Sequence, residues 1–176
     1  MKIQDLLLKE VMNGDGFPIK KISPSSWNII IPALSTKTNK DVIVIVDTPT
    51  QTVDTYIIME LSFRIAGTTE IQLENIFKDT EVFKLFTSLR MIVEQINADI
   101  IVFIPNDINI EVENKKSRVY LAVMHRMKTR GLLARIETFD DPSGHVFQFA
   151  FPTNSRAVSI ENDRLMNIAT QYFGNK

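Results

Sequence analysis

The sequence contains no cysteine, which removes disulfides, thiol nucleophiles and cysteine-based zinc sites. Its two histidines, His125 and His145, lack the HExxH spacing that puts two imidazoles on one helix face, so no transition-metal site is expected. There is no glycine-rich phosphate loop ending in Lys-Ser or Lys-Thr, and no Gly-x-Ser-x-Gly elbow. Neither sign of charge dominates. With 20 Lys and Arg against 21 Asp and Glu, the net charge of -1 argues against a domain devoted to nucleic acid or an anionic membrane. No apolar run approaches the length of a membrane-spanning helix. Asp5 and the Lys9-Glu10 pair interrupt the stretch where a signal peptide would be apolar. A cytoplasmic protein without membrane association is expected.

What is present is ordinary for a globular chain. At 176 residues, with 44% hydrophobic and 23% charged residues, residues 1–176 read as a single domain large enough to bury its own core. The organising stretch runs from Thr69 to Gln95. Ile71 and Leu73 alternate with Glu70, Gln72 and Glu74, the period of a strand with one wet face. After Lys78-Asp79-Thr80-Glu81, where Asp79 can cap and Glu81 suits the helix dipole, an amphipathic helix follows. Its stripe is Val82, Leu85, Phe86, Leu89, Val93 and Ile96.

Around this unit the pattern predicts a short N-terminal helix over residues 2–12, stopped by Gly14-Asp15-Gly16. A connector containing Pro18 and Ser23-Pro24-Ser25-Ser26 comes next, then a β-rich run from Trp27 to Leu34 in which Pro32 marks an edge strand or its end. Val42–Val46 reads as a strand buried on both faces. Tyr56–Ile65 reads as one strand with Ile57, Met59, Leu61, Phe63 and Ile65 sharing a face, turned by Ala66-Gly67-Thr68 into the strand at 69–74. These three strands predict an antiparallel meander. A strand over Asp99–Pro105 closes a strand–helix–strand unit, and so one parallel crossover. A second helix spans about Glu113–Arg130, with Tyr120, Val123, Met124 and Met127 inward and Gly131 ending it. Leu132–Phe139 and His145–Phe151 form a hairpin, and Ile160–Phe173 a last helix docked through Leu165, Ile168, Ala169 and Tyr172.

The order from Val42 onward, and in particular Glu70-Ile71-Gln72-Leu73-Glu74-Asn75-Ile76-Phe77, its following helix and the Asp99–Pro105 strand, resembles the GCN5-related N-acetyltransferase (GNAT) fold over roughly residues 42–151. The resemblance implies an α+β architecture, a mostly antiparallel twisted sheet with helices on its faces. It also implies an N-acyltransferase that moves an acyl group from acetyl-CoA to an unidentified amine. The family's Arg/Gln-x-x-Gly-x-Gly/Ala motif is missing: the same register holds Glu81-Val82-Phe83-Lys84-Leu85-Phe86. Only about seven residues separate the Trp27 and Val42 runs, leaving no room for the helices this family places there.

By the same resemblance Glu70 stands where some members carry a general base, Tyr120 where they carry the acid that protonates the leaving thiol, and Lys84 and Asn114 near the cofactor. Each also has a plainer account. Glu70 shares a polar face with Gln72 and Glu74, and Tyr120 falls on the inward stripe. Lys84 suits a solvated position, and His125 an idle one. The second helix is basic, with Lys115, Lys116, Arg118, Arg126, Lys128 and Arg130, which suits cofactor phosphates, nucleic acid or simply solvent. The alternative to an enzyme is a non-catalytic GNAT-like binding or regulatory module for a protein partner. The terminal helices, outside the resembling region, are the places open to self-association.

Overall fold

The computed structural model describes residues 16–67, 81–103, 121, 124–140 and 146–174. The architecture is α+β, as expected, with two mostly antiparallel sheets. Along the chain the strands are β1 (Ile19–Ser23), β2 (Ser26–Ile31), β3 (Val42–Asp47), β4 (Thr50–Val53), β5 (Tyr56–Glu60), β6 (Ser62–Ile65), β7 (Ile100–Phe103), β8 (Leu133–Asp140) and β9 (Val146–Pro152). The helices are α1 (Val82–Gln95), α2, described at residues 124–129, and α3 (Asn162–Gly174). Contacts divide the chain into two compact units, Met1–Asp47 with Phe63–Ile96, and Thr48–Ser62 with Asn97–Lys176. The N-terminal helix expected at residues 2–12 and the strand expected at 69–74 lie outside the described residues.

The first unit is built on the sheet β1-β2-β3-β6. β2 stops at Ile31 because Pro32 has no N–H for the ladder, and a 3-10 turn over Ala33–Ser35 follows. β2 is interior, flanked by β1 and β3, so Pro32 marks a strand end rather than an edge. Trp27, Ile29 and Ile31 turn to the buried face, opposite Val46, Val44 and Val42 in register. The expectation that Val42–Val46 is buried on both faces is corrected here. Val44 and Val46 are buried, but Ile43 is 39% exposed because the other face of this sheet meets solvent at that point. β1 is a further correction: Ile19–Ser23 falls within the expected connector but forms a strand, and its charged Lys20 and Lys21 are what an edge strand carries.

Helix α1 packs on β2 and buries Leu85, Phe86, Leu89, Ile92 and Val93, together with Thr87 and Ser88. The small residues allow close approach. Ser88 Oγ donates to the Phe17 carbonyl at 2.9 Å, and a Cβ added at Gly16 would sit 2.8 Å from the Ser88 Oγ.

The second unit is built on the sheet β4-β5-β7-β9-β8. β5 and β7 run parallel, with Ile58 opposite Ile100, so the expected crossover into the 99–105 region has Tyr56–Glu60 as its partner strand. The single strand expected over Tyr56–Ile65 is corrected to two. β5 joins this sheet and β6 the other, with Leu61 between them donating its N–H to the Val102 carbonyl at 2.9 Å. Of the three strands expected in a meander, β6 neighbours β3 in one sheet while β5 belongs to the other, and the strand at 69–74 lies outside the described residues. Of the odd-numbered residues, Met59, Leu61, Phe63 and Ile65 are buried, but Ile57 is 38% exposed and Ile58, of the other parity, is fully buried.

The hairpin of β8 and β9 forms as expected, and Phe149 and Phe151 enter a cluster with Ile58, Ile100, Val102, Leu165, Ile168 and Tyr172. The expected docking stripe of α3 is the buried one: Leu165, Ile168, Ala169 and Tyr172. Gly131 ends α2 at φ 73° with its N–H on Lys128 O at 2.9 Å and that of Leu132 on Met127 O at 3.0 Å, a Schellman closure. Among the described residues no helix is long and apolar enough to cross a membrane.

Candidate functional site

At the N-terminal end of α1, where Lys84 is the cofactor candidate, the chain's own polar side chains meet one another. Glu81 precedes the helix with helical φ and ψ and makes no side-chain cap. Its Oε2 instead lies 3.1 Å from Lys84 Nζ and accepts a hydrogen bond from Ser35 Oγ at 3.2 Å. Ser35 is brought there by the 3-10 turn behind Pro32. A carboxylate at the positive end of a helix is favourable in itself. Lys84, the cofactor-binding candidate, is thus in an ion pair within its own helical turn, with its side chain 32% exposed. Phe86, which occupies the family's last small-residue position, is buried.

Glu70, Asn114 and Tyr120 lie outside the described residues, so Lys84 is the one expected site residue that the structure places. On α2, Met124 and Met127 face inward as expected, while His125 and Lys128 are exposed and Arg126 is half-buried. Burial lowers the pKa of Arg126.

A second group of polar residues gathers in the other unit, and nothing in the sequence pattern announced it. β4 and β5 are joined by the two-residue turn Asp54-Thr55, with φ of 47° and 70°. Positive φ at both central residues is the type I′ arrangement, which suits hairpin twist and favours Asn-Gly. A β-branched threonine is strained there.

Three contacts hold the turn. Arg164 donates from Nε and Nη2 to Asp54 Oδ2 at 3.2 and 3.1 Å. Arg156 donates from Nη2 to the Thr55 carbonyl. Arg156 also pairs two-pronged with Asp99, Nε to Oδ1 at 3.0 Å and Nη2 to Oδ2 at 3.1 Å. Tyr56, next in the chain, has its ring 5.3 Å from the Arg156 guanidinium and 5.4 Å from that of Arg164.

Between them lies a cleft of about 310 Å³, lined by Tyr56, Arg156, Ser159, Ile160, Glu161 and Arg164. Burial of Asp99 works to raise its pKa, but the hydrogen bonds from Arg156 and the Ile57 N–H, with the charge of Arg156, outweigh it and hold the carboxyl below its ordinary range. The same pairing raises the pKa of Arg156. The signal that could have found the turn is Asp54-Thr55 between two β-rich runs, a hairpin dipeptide disguised by Thr in place of Gly. The arginines gave none, since they stand 101 and 110 residues from their turn partners.

The same unit holds a carboxylate–tyrosine pair that is not the expected one. Tyr172 Oη donates to Glu60 Oε2 at 2.7 Å, and Tyr172 is buried at 2% exposure. Burial first, then the hydrogen bond and charge of Glu60, push the phenol pKa up. With its ring inside the core, this tyrosine anchors α3 to β5 rather than meeting a substrate. Comparison with protein-family models finds no match to this sequence, and comparison with curated proteins finds no similar one.

Proposed function

We propose that the chain is a non-catalytic binding or regulatory module that engages a protein partner. The observation that carries this reading is the Ser35–Glu81–Lys84 cluster at the start of α1. With Glu81 beside it, Lys84 contributes no net charge there. The helix end alone offers an anion about 0.3–1 kcal/mol. A ligand held at even millimolar affinity needs about 4 kcal/mol. The missing glycines point the same way, since a pyrophosphate must come close to backbone N–H groups that Phe86 and its neighbours flank.

The second reading is the diverged N-acyltransferase, with acetyl-CoA as donor, an amine as acceptor, Glu70 relaying the amine proton and Tyr120 serving the thiol. One observation favours it: the Lys84 side chain keeps a third of its surface in solvent. A calorimetric titration of the full chain with acetyl-CoA separates the two. The module reading expects no binding at ligand concentrations on the order of 1 mM. Binding that Lys84→Glu abolishes, together with consumption of acetyl-CoA in the presence of an amine, would overturn it.

A further inference from the structure

Strand alternation gives the first sheet a second face, turned away from buried Trp27, Ile29, Ile31, Val44 and Val46. On it Ile30 and Ile43 stand directly opposite one another in register, 38% and 39% exposed, with half-buried Ile45 beside them. Leu34, on the turn just past β2, is exposed as well. Two cations share this face. Lys20 on β1 lies opposite Asn28, and Arg64 on β6 is exposed between buried Phe63 and Ile65. In the order β1-β2-β3-β6 the isoleucines therefore occupy the two middle strands and the cations the two outer ones. Among the described residues, Lys20, Lys40 and Arg64 make no ion pair. Residues 16–47 and 62–67 hold Lys20, Lys21, Lys37, Lys40 and Arg64 against Asp41 and Asp47, a balance of +3 in a chain whose total is -1. Asp47 is the one acid on this face of the described strands, and it lies opposite Ser26, at the end away from Ile30 and Ile43.

We infer that this face docks an amphipathic helix of the protein partner, its apolar stripe on β2 and β3 and its Asp and Glu flanks toward Lys20 and Arg64. The inference rests on the binding-module reading and names the surface and the chemistry of its partner. Size supports a helix. Neighbouring strands lie about 4.8 Å apart, so three spacings put β1 and β6 about 14 Å apart, and a helix with its side chains is about 10–12 Å across. Such a helix covers Ile30, Ile43 and Ile45 while its flanking carboxylates reach the cations on either side. Other occupants fit the charges or the apolar strip, but not both. A second copy brings the same excess of cations to this face. A nucleic acid gains nothing from three isoleucines, and the face offers no aromatic ring for a base. Isoleucines set this flat between strands do not reach into a bilayer.

The test is a titration of the isotope-labelled full chain with a blocked helical peptide of Leu, Glu and Ala, read by amide chemical shifts. The peptide carries Leu at three-and-four spacing and Glu on both sides of that stripe. Shifts should gather at residues 28–30 and 43–45, Lys20 and Arg64, and binding should weaken as salt is added. Ile43→Ser should weaken it about tenfold, and Lys20→Glu with Arg64→Glu by about tenfold or more. All three side chains are exposed, so the fold is kept, and the unchanged remainder of the spectrum reports it. The same peptide with Lys for Glu should not bind. Shifts elsewhere, unaffected variants, or equal binding of the Lys peptide would each overturn the inference. So would tighter attachment to phosphatidylserine vesicles or to a DNA duplex than to the peptide. A dimer in sedimentation that Ile43→Ser abolishes would assign the face to a second copy instead. A silent face with no acetyl-CoA binding removes this docking surface and leaves the module reading standing. Acetyl-CoA turnover removes the module reading whatever the peptide does.

Discussion

The two units hold their helices by different means. In the first, α1 lies against its sheet through an apolar face plus two small residues, and its polar ties are Ser88 to the Phe17 carbonyl and to its own Lys84 carbonyl, Glu81 to Lys84, and one bond from a distant side chain, Ser35 to Glu81. In the second, long polar side chains reach across the sequence to α3 and the loop before it. Tyr172 reaches Glu60, Arg164 reaches Asp54, and Arg135 bonds the Ile160 carbonyl at 2.5 Å and Asn162 at 2.6 Å. The first unit should therefore be sensitive to added volume at the helix contact. The second should be sensitive to removal of a polar or aromatic partner.

The largest effect expected is in the second core. Phe149 has no exposed surface, meets Phe139 edge-on at 5.2 Å and stacks on Phe173 at 6.1 Å. Phe149→Ala should cost about 3–5 kcal/mol, through lost transfer energy and the cavity left behind. Urea unfolding followed by circular dichroism measures it, and a cost under about 1 kcal/mol would mean that this cluster does not organise the unit.

How far the fold could be read from the sequence follows the same division. α1, α3 and the β8–β9 hairpin were legible because their signals are local: a stripe at three-and-four spacing, or two apolar runs around Asp-Pro-Ser-Gly. β1 and β4 were not, since Ile19–Ser23 and Thr50–Val53 are polar edge strands that resemble loops in composition. Alternation failed for Tyr56–Ile65 because adjacent Ile58 and Met59 are both buried, and a strand covered on both faces has no period to show. The change of sheet at Leu61 has no local marker. The site was less legible still. Lys84 could be named, but its Glu81 and Ser35 partners depend on a turn 46 residues away, and the arginine cleft depends on contacts longer than that.

Tyr172→Phe tests the polar half of the comparison. It deletes the donor 2.7 Å from Glu60 without changing the ring, and should cost about 1.5–3 kcal/mol, the range for a hydrogen bond to a charged group. The pH dependence carries the sign. Folding raises the phenol pKa, so its stabilisation is complete below the unfolded value near 10 and is lost as pH climbs through the folded one. The wild-type protein should lose up to about 1.4 kcal/mol per pH unit from this group above pH 10, and the variant should lack that component. Equal alkaline slopes in the two proteins would show that folding does not raise the phenol pKa.

Gly16→Ala tests the volume half. The new Cβ would lie 2.8 Å from Ser88 Oγ and 3.2 Å from Ser88 N, so α1 or the strand entry must shift and the Ser88–Phe17 bond must lengthen. Overpacking of this kind costs about 1–3 kcal/mol. Gly67, whose site is open but whose φ is 82°, provides the contrast: Gly67→Ala strains only the backbone and should cost about 1 kcal/mol. If the two substitutions cost the same, close packing at α1 is not what distinguishes this unit.

The smallest effect is a gain. Thr55 sits at φ 70° in a turn that favours glycine, so Thr55→Gly should relieve the strain of a β-branched side chain in the left-handed region, against the entropy glycine loses on folding. The balance is expected to be a stabilisation of about 0.5–1 kcal/mol. The carbonyl that Arg156 holds is backbone, so the clamp survives the substitution, and so does the Asp54–Arg164 pair. A stabilised variant with unchanged Tyr56 ring shifts by NMR would show that the arginines alone position the cleft. A stabilised variant with displaced Tyr56 ring shifts would show that the strained threonine holds Tyr56 in its place between them. In that case the second unit's long-range polar contacts hold a conformation that the local sequence opposes, which nothing in the first unit's helix contact does.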